Sequence, residues 1–235
     1  MSVRGLGAQG GLSAWEKPAG LPVFPPHGDP GGDCVLARLL AAEPRRGSLV
    51  WPEGFDGGIA HRLDTGTSGL LVVADDGAAL AGLRGRFSRG ELRKRYLFLS
   101  SRAVPWASHV CERPIAHDPH DKRKVIVQRG QSTPKRGAWL GAQTRFRRLA
   151  AVEGGLCLWQ ATMSTGVMHQ IRAHAAAVGI ALAGDRLYGG GDCALPRPEG
   201  SPFFLHHHSI HAEGWALPAC PLPPHWPAGA QAHGR

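Results

Sequence analysis

The strongest constraint on the fold is a short apolar run, LLVVA (70–74), that directly follows the polar sequence HRLDTGTSG (61–69). A continuous apolar run of this length beside turn signals is typical of a strand buried on both faces. The glycine, threonine and serine residues that precede it can form a tight, rigid turn. The sequence therefore predicts a buried strand entered through a tight turn, with Asp64 at the mouth of that turn.

Strand and helix patterns alternate along the rest of the chain. Runs rich in branched and aromatic residues predict further strands: RYLFLS (95–100), KVIVQ (124–128) and LCLWQATM (156–163). Helical spacing of apolar residues predicts two helices: DDGAALAGLRGRFSRG (75–90) and HQIRAHAAAVG (169–179). Strands joined by short turns, with single helices between them, indicate an α+β chain with a mixed, largely antiparallel sheet.

The two ends of the chain differ in composition from its middle. Residues 1–14 are rich in glycine, and we predict that they form a flexible segment. Residues 216–235 are rich in proline and alanine without any period, and we predict an extended or disordered tail there. A single folded domain is expected over the intervening residues 15–215.

The charge balance favours a polyanionic partner. Lysine and arginine number 27 against 18 aspartate and glutamate residues, a formal net charge of +9, and nucleic acid is the first partner that such a balance suggests. Five cysteines lie far apart without a CxxC pair, which argues against a zinc ribbon or a secreted disulfide framework. Because the sequence has neither a signal-like segment nor a membrane-spanning apolar run, a cytoplasmic protein with no membrane partner is expected.

Three residues are candidates for a functional site, and each has a structural alternative. Asp64 either caps its own turn or presents a carboxylate to a ligand. Arg172 shares one side of the predicted helix with His169, and this side either faces solvent or directs the guanidinium at an anion such as a phosphate or Asp64. Tyr96, which follows a basic cluster, is either a core residue or a platform for a nucleobase.

The histidine run LHHHSIH (205–211) invites comparison with metal sites. If it forms a strand, His206 and His208 share one face while His207 points to the other. Two histidines on a face, without an evident third ligand, do not make a convincing metal centre. We therefore predict no metal site in this run.

Five segments together resemble the RluA-type RNA pseudouridine synthase family. They occur in the family's order: KPAGLPVFPP (17–26), HRLDTGTSGLLVVA (61–74), RKRYLFL (93–99), GVMHQIRAHAAAVGIALAGDRLYGG (166–190) and FFLHHH (203–208). The match extends over about residues 15–215, and the HQIRAH segment distinguishes this family from the related RsuA branch. Motifs in this order and at suitable spacings are far more specific than any one of them alone.

The resemblance implies an activity and three catalytic residues. Enzymes of this family convert a uridine within structured RNA, rRNA or tRNA, to pseudouridine, and they need no cofactor. Asp64 matches the family's catalytic aspartate, Arg172 the arginine that pairs with it, and Tyr96 the tyrosine that stacks on the target uracil. Arg62, close to the aspartate, matches the residue associated with filling the space that the flipped base leaves.

The resemblance also implies an architecture and a mode of RNA binding. The expected fold is the pseudouridine-synthase catalytic core over residues 15–215, with a long mixed, mainly antiparallel sheet, flanking helices and a central basic cleft. Since only a short segment precedes KPAGLPV, no S4 RNA-binding domain is expected. A monomer is the default expectation for the oligomeric state. RNA contacts are then expected from basic groups of the core itself: Arg62, Arg93, Lys94, Arg95, Lys122, Arg123, Lys124 and His169.

A departure from the family pattern keeps an alternative open. Val167 and Met168 stand where the family has arginine followed by threonine or serine, which removes a positive group and a hydroxyl near the cleft. A non-catalytic RNA-binding protein on the same fold is therefore the alternative to an active enzyme. The intact set of Asp64, Tyr96 and Arg172 favours the enzyme, since a carboxylate that faces RNA repels phosphate. A hydrolase of free nucleosides would need a second carboxyl group as its acid, and no motif provides one.

Overall fold

The computed structural model describes residues 3–193, 195–196 and 201–234. Among these residues, the strands are β1 (Arg4–Gln9), β2 (Leu12–Lys17), β3 (Ser68–Ala74), β4 (Arg93–Ser100), β5 (Ser108–Cys111), β6 (Ile115–His117), β7 (Val125–Val127), β8 (Arg136–Leu140), β9 (Thr144–Val152), β10 (Leu156–Met163), β11 (Leu205–Ala212) and β12 (Trp215–Ala216). The α-helices are α1 (Val35–Ala42), α2 (Gly77–Ser88), α3 (Gln170–Ala177) and α4 (Ala228–Gln231). Short 3₁₀ turns lie at Pro44–Ser48, Asp56–Gly58, Glu153–Gly155 and Arg186–Tyr188.

The strands form one large sheet and one small one. The large sheet has the order β1-β2-β3-β11-β4-β10-β9-β5, and β12 pairs with the far end of β11. Its pairs are antiparallel except for β3 and β11, which run parallel. The small antiparallel sheet has the order β7-β6-β8. The predicted mixed, mainly antiparallel α+β architecture is thus confirmed.

Strand β3 lies near the middle of the large sheet and is buried along its whole length. Leu71 and Val73 pack into one apolar cluster, and Leu70 and Val72 pack into a second cluster on the opposite face. Because alternate residues of a strand point to opposite faces, β3 is covered on both sides, as its continuous apolar run predicts.

Helices cover both faces of the large sheet. Leu80 and Leu83 of α2 pack into the cluster that contains Leu70, whereas Ile171 and Ala175 of α3 pack into the opposite cluster. The strands predicted at 95–100, 124–128 and 156–163 correspond to β4, β7 and β10, and the two predicted helices correspond to α2 and α3. Among the residues that the structure describes, no helix is both long and apolar enough to cross a bilayer.

The N-terminal segment differs from its prediction. The sequence predicts flexibility over residues 1–14, whereas β1 and β2 form a hairpin at the edge of the large sheet. Leu12 and Ala14 are buried in the cluster beside β3. The glycine-rich composition is misleading here because Gly10 and Gly11, both with positive φ, make the hairpin turn. Residues 1–2 lie outside the described part of the chain.

The C-terminal segment also differs from its prediction. Apolar side chains along it are buried: Leu217, Cys220, Leu222, Trp226 and Ala230. The last three of these pack against residues of β4 and β10 in one cluster. Much of the segment is extended, as its prolines predict, but its apolar side chains lie on the sheet. It is therefore part of the folded domain and not a loose tail.

We predict that Trp226→Ala lowers the free energy of unfolding by about 3 kcal/mol or more, because it leaves a cavity against β4 and β10. Urea denaturation of the purified protein measures this change. Pro224→Ala, at an exposed position of the same segment, is the control and should stay within about 0.5 kcal/mol of wild type. A negligible effect of Trp226→Ala would mean that the segment contributes little to the fold.

Candidate active site around Asp64

The loop that carries Asp64 is closed by main-chain contacts. The Thr67 amide donates a hydrogen bond to the Asp64 carbonyl oxygen at 2.9 Å. Gly69, with φ of +116°, lies so close to the main chain of His207 that an added β-carbon would stand 2.3 Å from its carbonyl oxygen. Only glycine fits at this position. Because the main chain closes the turn, the Asp64 carboxylate is available for contacts elsewhere.

Lys17, at the end of β2, supports the same loop. Its side chain is fully buried, and Nζ donates hydrogen bonds to the carbonyl oxygens of Pro18 (2.8 Å), Thr65 (3.1 Å) and Thr67 (2.7 Å). Burial lowers the pKa of Lys17 to about 7, although the charge of Asp64 raises it. Sequence reasoning assigns Lys17 no role, and the KPAGLPV motif that contains it is the signal that could have identified one.

Arg172 joins two carboxylates at the centre of the site. Its Nη1 lies 3.2 Å from Oδ2 of Asp64, within the distance expected of an ion pair. On its other side, Nε and Nη2 donate to the two carboxylate oxygens of Asp185 at 2.6 and 2.9 Å, a bidentate contact. Burial alone would lower the pKa of Arg172, but the bonds to Asp185 and the charge of Asp64 outweigh it, so the pKa is raised. Arg172 thus keeps its charge while only 7% exposed.

Aromatic rings complete the surroundings of the Arg172 guanidinium. Its central carbon lies 4.4 Å from the centre of the Phe203 ring and 5.0 Å from that of Tyr188. A guanidinium over aromatic faces is stabilised electrostatically and is fixed in orientation. Asp185, only 1% exposed, holds its other edge.

One interpretation of the sequence placed the polar side of α3 in solvent. This interpretation is wrong, because that side is buried. Gln170, Arg172 and His174 are all buried. Gln170 donates hydrogen bonds to the Gln143 carbonyl and to the Thr144 hydroxyl, and His174 bonds to the same hydroxyl at 2.9 Å. Gln143 lies in the loop before β9, and Thr144 is the first residue of β9. Contacts with residues outside the helix cannot be predicted from the helical period of α3.

His169 lies beside Asp64 and not within the helix that was predicted to include it. It precedes α3 with φ of 53°, a left-handed conformation uncommon for a residue with a side chain. Its Nε2 is 3.7 Å from Oδ2 of Asp64, and its Nδ1 is 2.9 Å from the Tyr188 hydroxyl. Burial lowers the pKa of His169 more than the charge of Asp64 raises it. His169, which was predicted to contact RNA, therefore lies next to the carboxylate.

Tyr96 lies on the same face of the sheet as α3, among Leu63, Ile171 and Phe203. Its ring stacks on His207, with 4.4 Å between the ring centres and 18° between the planes. Burial raises the pKa of Tyr96, and the charge of Asp64 raises it further. The phenol therefore remains protonated at neutral pH and close enough to Asp64 to feel its charge.

The histidine run forms β11, with the alternation that was predicted. His206 and His208 both contact the Cys220 carbonyl oxygen at 3.0 Å, whereas Nδ1 of His207 donates to the Leu70 carbonyl at 2.6 Å on the other face. Burial lowers the pKa of His206 to about 3 and that of His207 well below its usual 6.5. No cluster of metal-ligating side chains occurs within residues 3–193, 195–196 and 201–234.

Half of the eight residues predicted to contact RNA are exposed. These four are Arg62, Arg93, Lys122 and Arg123. Arg123 forms an ion pair with Asp121 at 2.9 Å, and Lys124, which is partly buried, lies 3.4 Å from Asp118. Arg62 stands two residues before Asp64 in the chain, on the exposed side of the loop.

Two of the predicted RNA contacts point into the protein. Lys94 shares a sheet face with Tyr96, because the two are separated by two positions on β4, and it is only 7% exposed. Its Nζ donates to the Thr165 carbonyl at 2.6 Å, and burial lowers its pKa to about 8. Arg95, half-buried, donates to the His233 carbonyl at 3.2 Å. The structure does not support Lys94 as an RNA contact and leaves Arg95 only partly accessible.

The arrangement suits chemistry on a nucleotide drawn out of its helix. A carboxylate paired with a fixed guanidinium can attack an electrophilic carbon or accept a proton. A protonated phenol nearby offers both a flat face and a proton. Sequence reasoning identified Asp64, Arg172 and Tyr96 as candidates, and the structure brings them together. It adds three groups that sequence reasoning missed: Lys17, Asp185 and Tyr188.

The sequence matches a family model described as RNA pseudouridylate synthase over residues 11–177. The chain is 41% identical over 145 residues to a chloroplastic RNA pseudouridine synthase 2 of Oryza sativa subsp. japonica, covering 62% of this chain and 31% of that protein. It is 34% identical over 213 residues to a ribosomal large subunit pseudouridine synthase D of Xanthomonas campestris, covering 84% of this chain and 56% of that one. The chain thus spans about half the length, or less, of these curated relatives.

Solved structures share the fold. The human RNA pseudouridylate synthase domain containing 1 superposes with a TM-score of 0.70 at 18% identity, covering 95% of this chain and 84% of that one. The human RNA pseudouridylate synthase domain containing 4 gives a TM-score of 0.67 at 19% identity, with coverages of 97% and 91%. Both likenesses extend over nearly the whole chain.

We predict that the buried histidines make the protein less stable in mild acid. Below pH about 6.5 the unfolded chain takes up protons at His206 and His207 that the folded chain does not, so the free energy of unfolding falls as the pH falls. Each should cost roughly 1 kcal/mol between about pH 7.5 and about pH 5.5. Urea denaturation at both pH values measures the loss.

His207→Phe keeps an aromatic ring against Tyr96 but removes one titrating group, so the loss between the two pH values should shrink. The matched control His211→Phe, at an exposed position of the same strand, should keep the wild-type dependence. Equal dependence in His207→Phe and wild type would contradict the assignment of this effect to His207.

Proposed function

The chain belongs to the RNA pseudouridylate synthase family, in its RluA-type branch, and from this premise we propose that it isomerises a uridine of structured RNA to pseudouridine with Asp64 as the catalytic residue. The observation that carries the proposal is the ion pair between Asp64 and Arg172, 3.2 Å apart beside the buried Tyr96. A domain that only bound RNA would gain nothing from a carboxylate there, because it repels phosphate.

The reaction breaks the bond between N1 of uracil and C1′ of the ribose and forms a bond between C5 and C1′. A proton leaves C5 and another is gained at N1, so no external reactant is consumed. Asp64 would act covalently on the sugar or the base, or would take a proton from the sugar. Among the described residues, the polar contacts of the carboxylate use Oδ2, which leaves Oδ1 to meet the nucleotide.

Arg172 and Tyr96 would position the reactants. Arg172, held by Asp185, fixes the direction of the Asp64 carboxylate, and such fixed geometry accounts for much of the rate enhancement in enzymes. One face of Tyr96 lies on His207, so its other face would receive the flipped uracil. Arg62, exposed on the same loop, would fill the space that the uridine leaves in the RNA.

The RNA would be held by exposed basic residues of the domain over 15–215, chiefly Arg62, Arg93, Lys122 and Arg123. Either rRNA or tRNA would suit this surface. The name of the Xanthomonas campestris relative refers to the large ribosomal subunit, which makes its rRNA the first RNA to test. We further propose that the chain acts as a monomer in the cytoplasm.

The alternative function is RNA binding without catalysis, and it rests on Val167 and Met168. Met168 is 39% exposed, and Val167 packs beside Val125 and Ala173. Neither side chain carries the charge or the hydroxyl that the family pattern has there. The contacts of Asp64 and Arg172 do not involve either side chain. The ion pair therefore forms without them, which favours the enzyme.

We predict that Asp64→Asn abolishes pseudouridine formation while leaving the fold intact, because the amide cannot act as a nucleophile or base. Pseudouridine is mapped in total RNA of cells that lack the gene and are complemented with wild type or variant. Asp56→Asn, at an exposed position before β3, is the matched control and should restore the site. A site that Asp64→Asn restores would refute the role of Asp64, and a site that persists in the deletion strain would count against the enzyme.

We predict that Asp185→Asn slows single-turnover pseudouridine formation by about 100-fold, since Arg172 would lose the bidentate partner that fixes its direction. Asp75→Asn breaks a different ion pair, with the buried Arg46 at 2.8 Å, and serves as the control for lost stability. At a temperature where both variants are folded, only Asp185→Asn should be slow. Equal rates in the two variants would mean that Asp185 acts through stability alone.

A further inference from the structure

A cavity of about 830 Å³ lies between the small sheet and α3. The proposed reaction places no part of the substrate in it. Its wall is formed by Val125 and Val127 of β7, Ala173 and Ala176 of α3, and Leu187 and Tyr188 of the following 3₁₀ turn. Cavities of roughly 300–1,000 Å³ are the size that holds small organic molecules in proteins. The cavity is therefore large enough for a nucleotide.

The wall of the cavity suits a flat ring. Val125, Val127 and Ala173 are buried members of one apolar cluster, and the Tyr188 ring packs against them. The small side chains of α3 leave room above the helix, so a planar group can approach the apolar surface closely. Bases that leave their stack are commonly received by surfaces of this kind, which combine aromatic and aliphatic groups.

The rim of the cavity is basic. Lys124, Arg129 and His120 lie along it, and Arg129 is exposed. Asp118 is the acidic residue of the lining, and it accepts hydrogen bonds from the amides of His120 and Asp121 at 2.8 and 3.0 Å besides its ion pair with Lys124. The side chains at the rim thus favour a phosphate, while the wall favours a base.

Tyr188 connects the cavity to the active site. Its hydroxyl receives a hydrogen bond from the Val125 amide at 3.0 Å on the cavity side and lies 2.9 Å from Nδ1 of His169 on the other. His169 in turn lies 3.7 Å from Asp64. A uridine at Asp64 and a nucleotide in the cavity would therefore be separated by the side chains of His169 and Tyr188.

We propose that this cavity binds a second unstacked nucleotide of the RNA substrate, close in sequence to the target uridine, with its base against Tyr188 and the apolar wall and its phosphate at Arg129 and Lys124. This inference rests on the proposed function, and it adds a second position at which the RNA is read. A base in the cavity can be recognised only where the RNA is single-stranded, so the site selects loops or bulges over continuous duplex.

The test uses Ala176→Phe, which places a phenyl ring in the cavity from a partly exposed position on α3. The matched control is Ala81→Phe, at an exposed position on α2. The probes are fluorescein-labelled single-stranded decauridylate and an RNA duplex of equal length, with binding measured by fluorescence anisotropy. Ala176→Phe should weaken decauridylate binding about 10-fold, within the range for loss of one stacked base. Duplex binding should change less than about 2-fold, and Ala81→Phe should bind both probes as wild type does.

Arg129→Gln tests the rim without altering the cavity wall. Because Arg129 is exposed, this variant folds even where Ala176→Phe does not. The logarithm of the binding constant for decauridylate falls linearly with the logarithm of the salt concentration. Arg129→Gln should make this slope shallower by about 0.7, the value for one phosphate contact in a single strand. An unchanged slope would remove Arg129 from the proposal.

The two proposals fail in distinguishable ways. If Ala176→Phe binds decauridylate as wild type does, or loses both probes equally, the cavity is not a nucleotide site, whatever the pseudouridine map shows. If Asp64→Asn still forms pseudouridine while Ala176→Phe weakens decauridylate binding selectively, the catalytic assignment is wrong and the cavity remains a nucleotide site.

Discussion

The site depends on one buried cation, the Arg172 guanidinium, which forms ion pairs with two carboxylates. Arg172 pairs with Asp64 on one side and with Asp185 on the other. Asp64 lies on a loop 108 positions before Arg172, whereas Asp185 lies on the turn that follows α3. Buried charges are tolerated only when each has a partner, and removal of one partner leaves the others uncompensated. The loop before β3, α3 and the turn around Asp185 are consequently fixed relative to one another by the same guanidinium.

A second buried cation fixes the loop from its other side. Lys17 donates to three carbonyl oxygens, two of them in the turn that follows Asp64. Its position at the end of β2 ties the turn to the N-terminal hairpin, while Gly69 allows the same turn to approach β11. The carboxylate is thus held by the rigidity of its surroundings and needs no hydrogen bond to its own turn.

Local patterns predicted the elements well, and contacts between distant segments explain what they missed. β3, β10 and α2 follow directly from runs and periods in their own sequences. The polar side of α3 was misread because its partners Asp185 and Thr144 lie outside the helix and leave no trace in its period. The C-terminal segment was misread for a related reason, since its buried residues are spaced irregularly between prolines. Asp64, Arg172 and Tyr96 were identified through the order of the motifs. Lys94 was predicted to contact RNA because of its charge, although its position on β4 places it on the same sheet face as Tyr96.

The position of β11 has a consequence for how the protein folds. β3 and β4 do not pair with each other, and β11 lies between them, although it comes from the far end of the chain. Its His207 contacts Leu70 across 137 residues of sequence, and pairings of such long range form late and slowly. Until β11 inserts, the two halves of the large sheet share no backbone pairing, and Tyr96 lacks the ring on which it stacks. The step that joins the two halves of the sheet therefore also completes the site around Asp64. A nascent chain that still lacks β11 contains Asp64 but not the complete site.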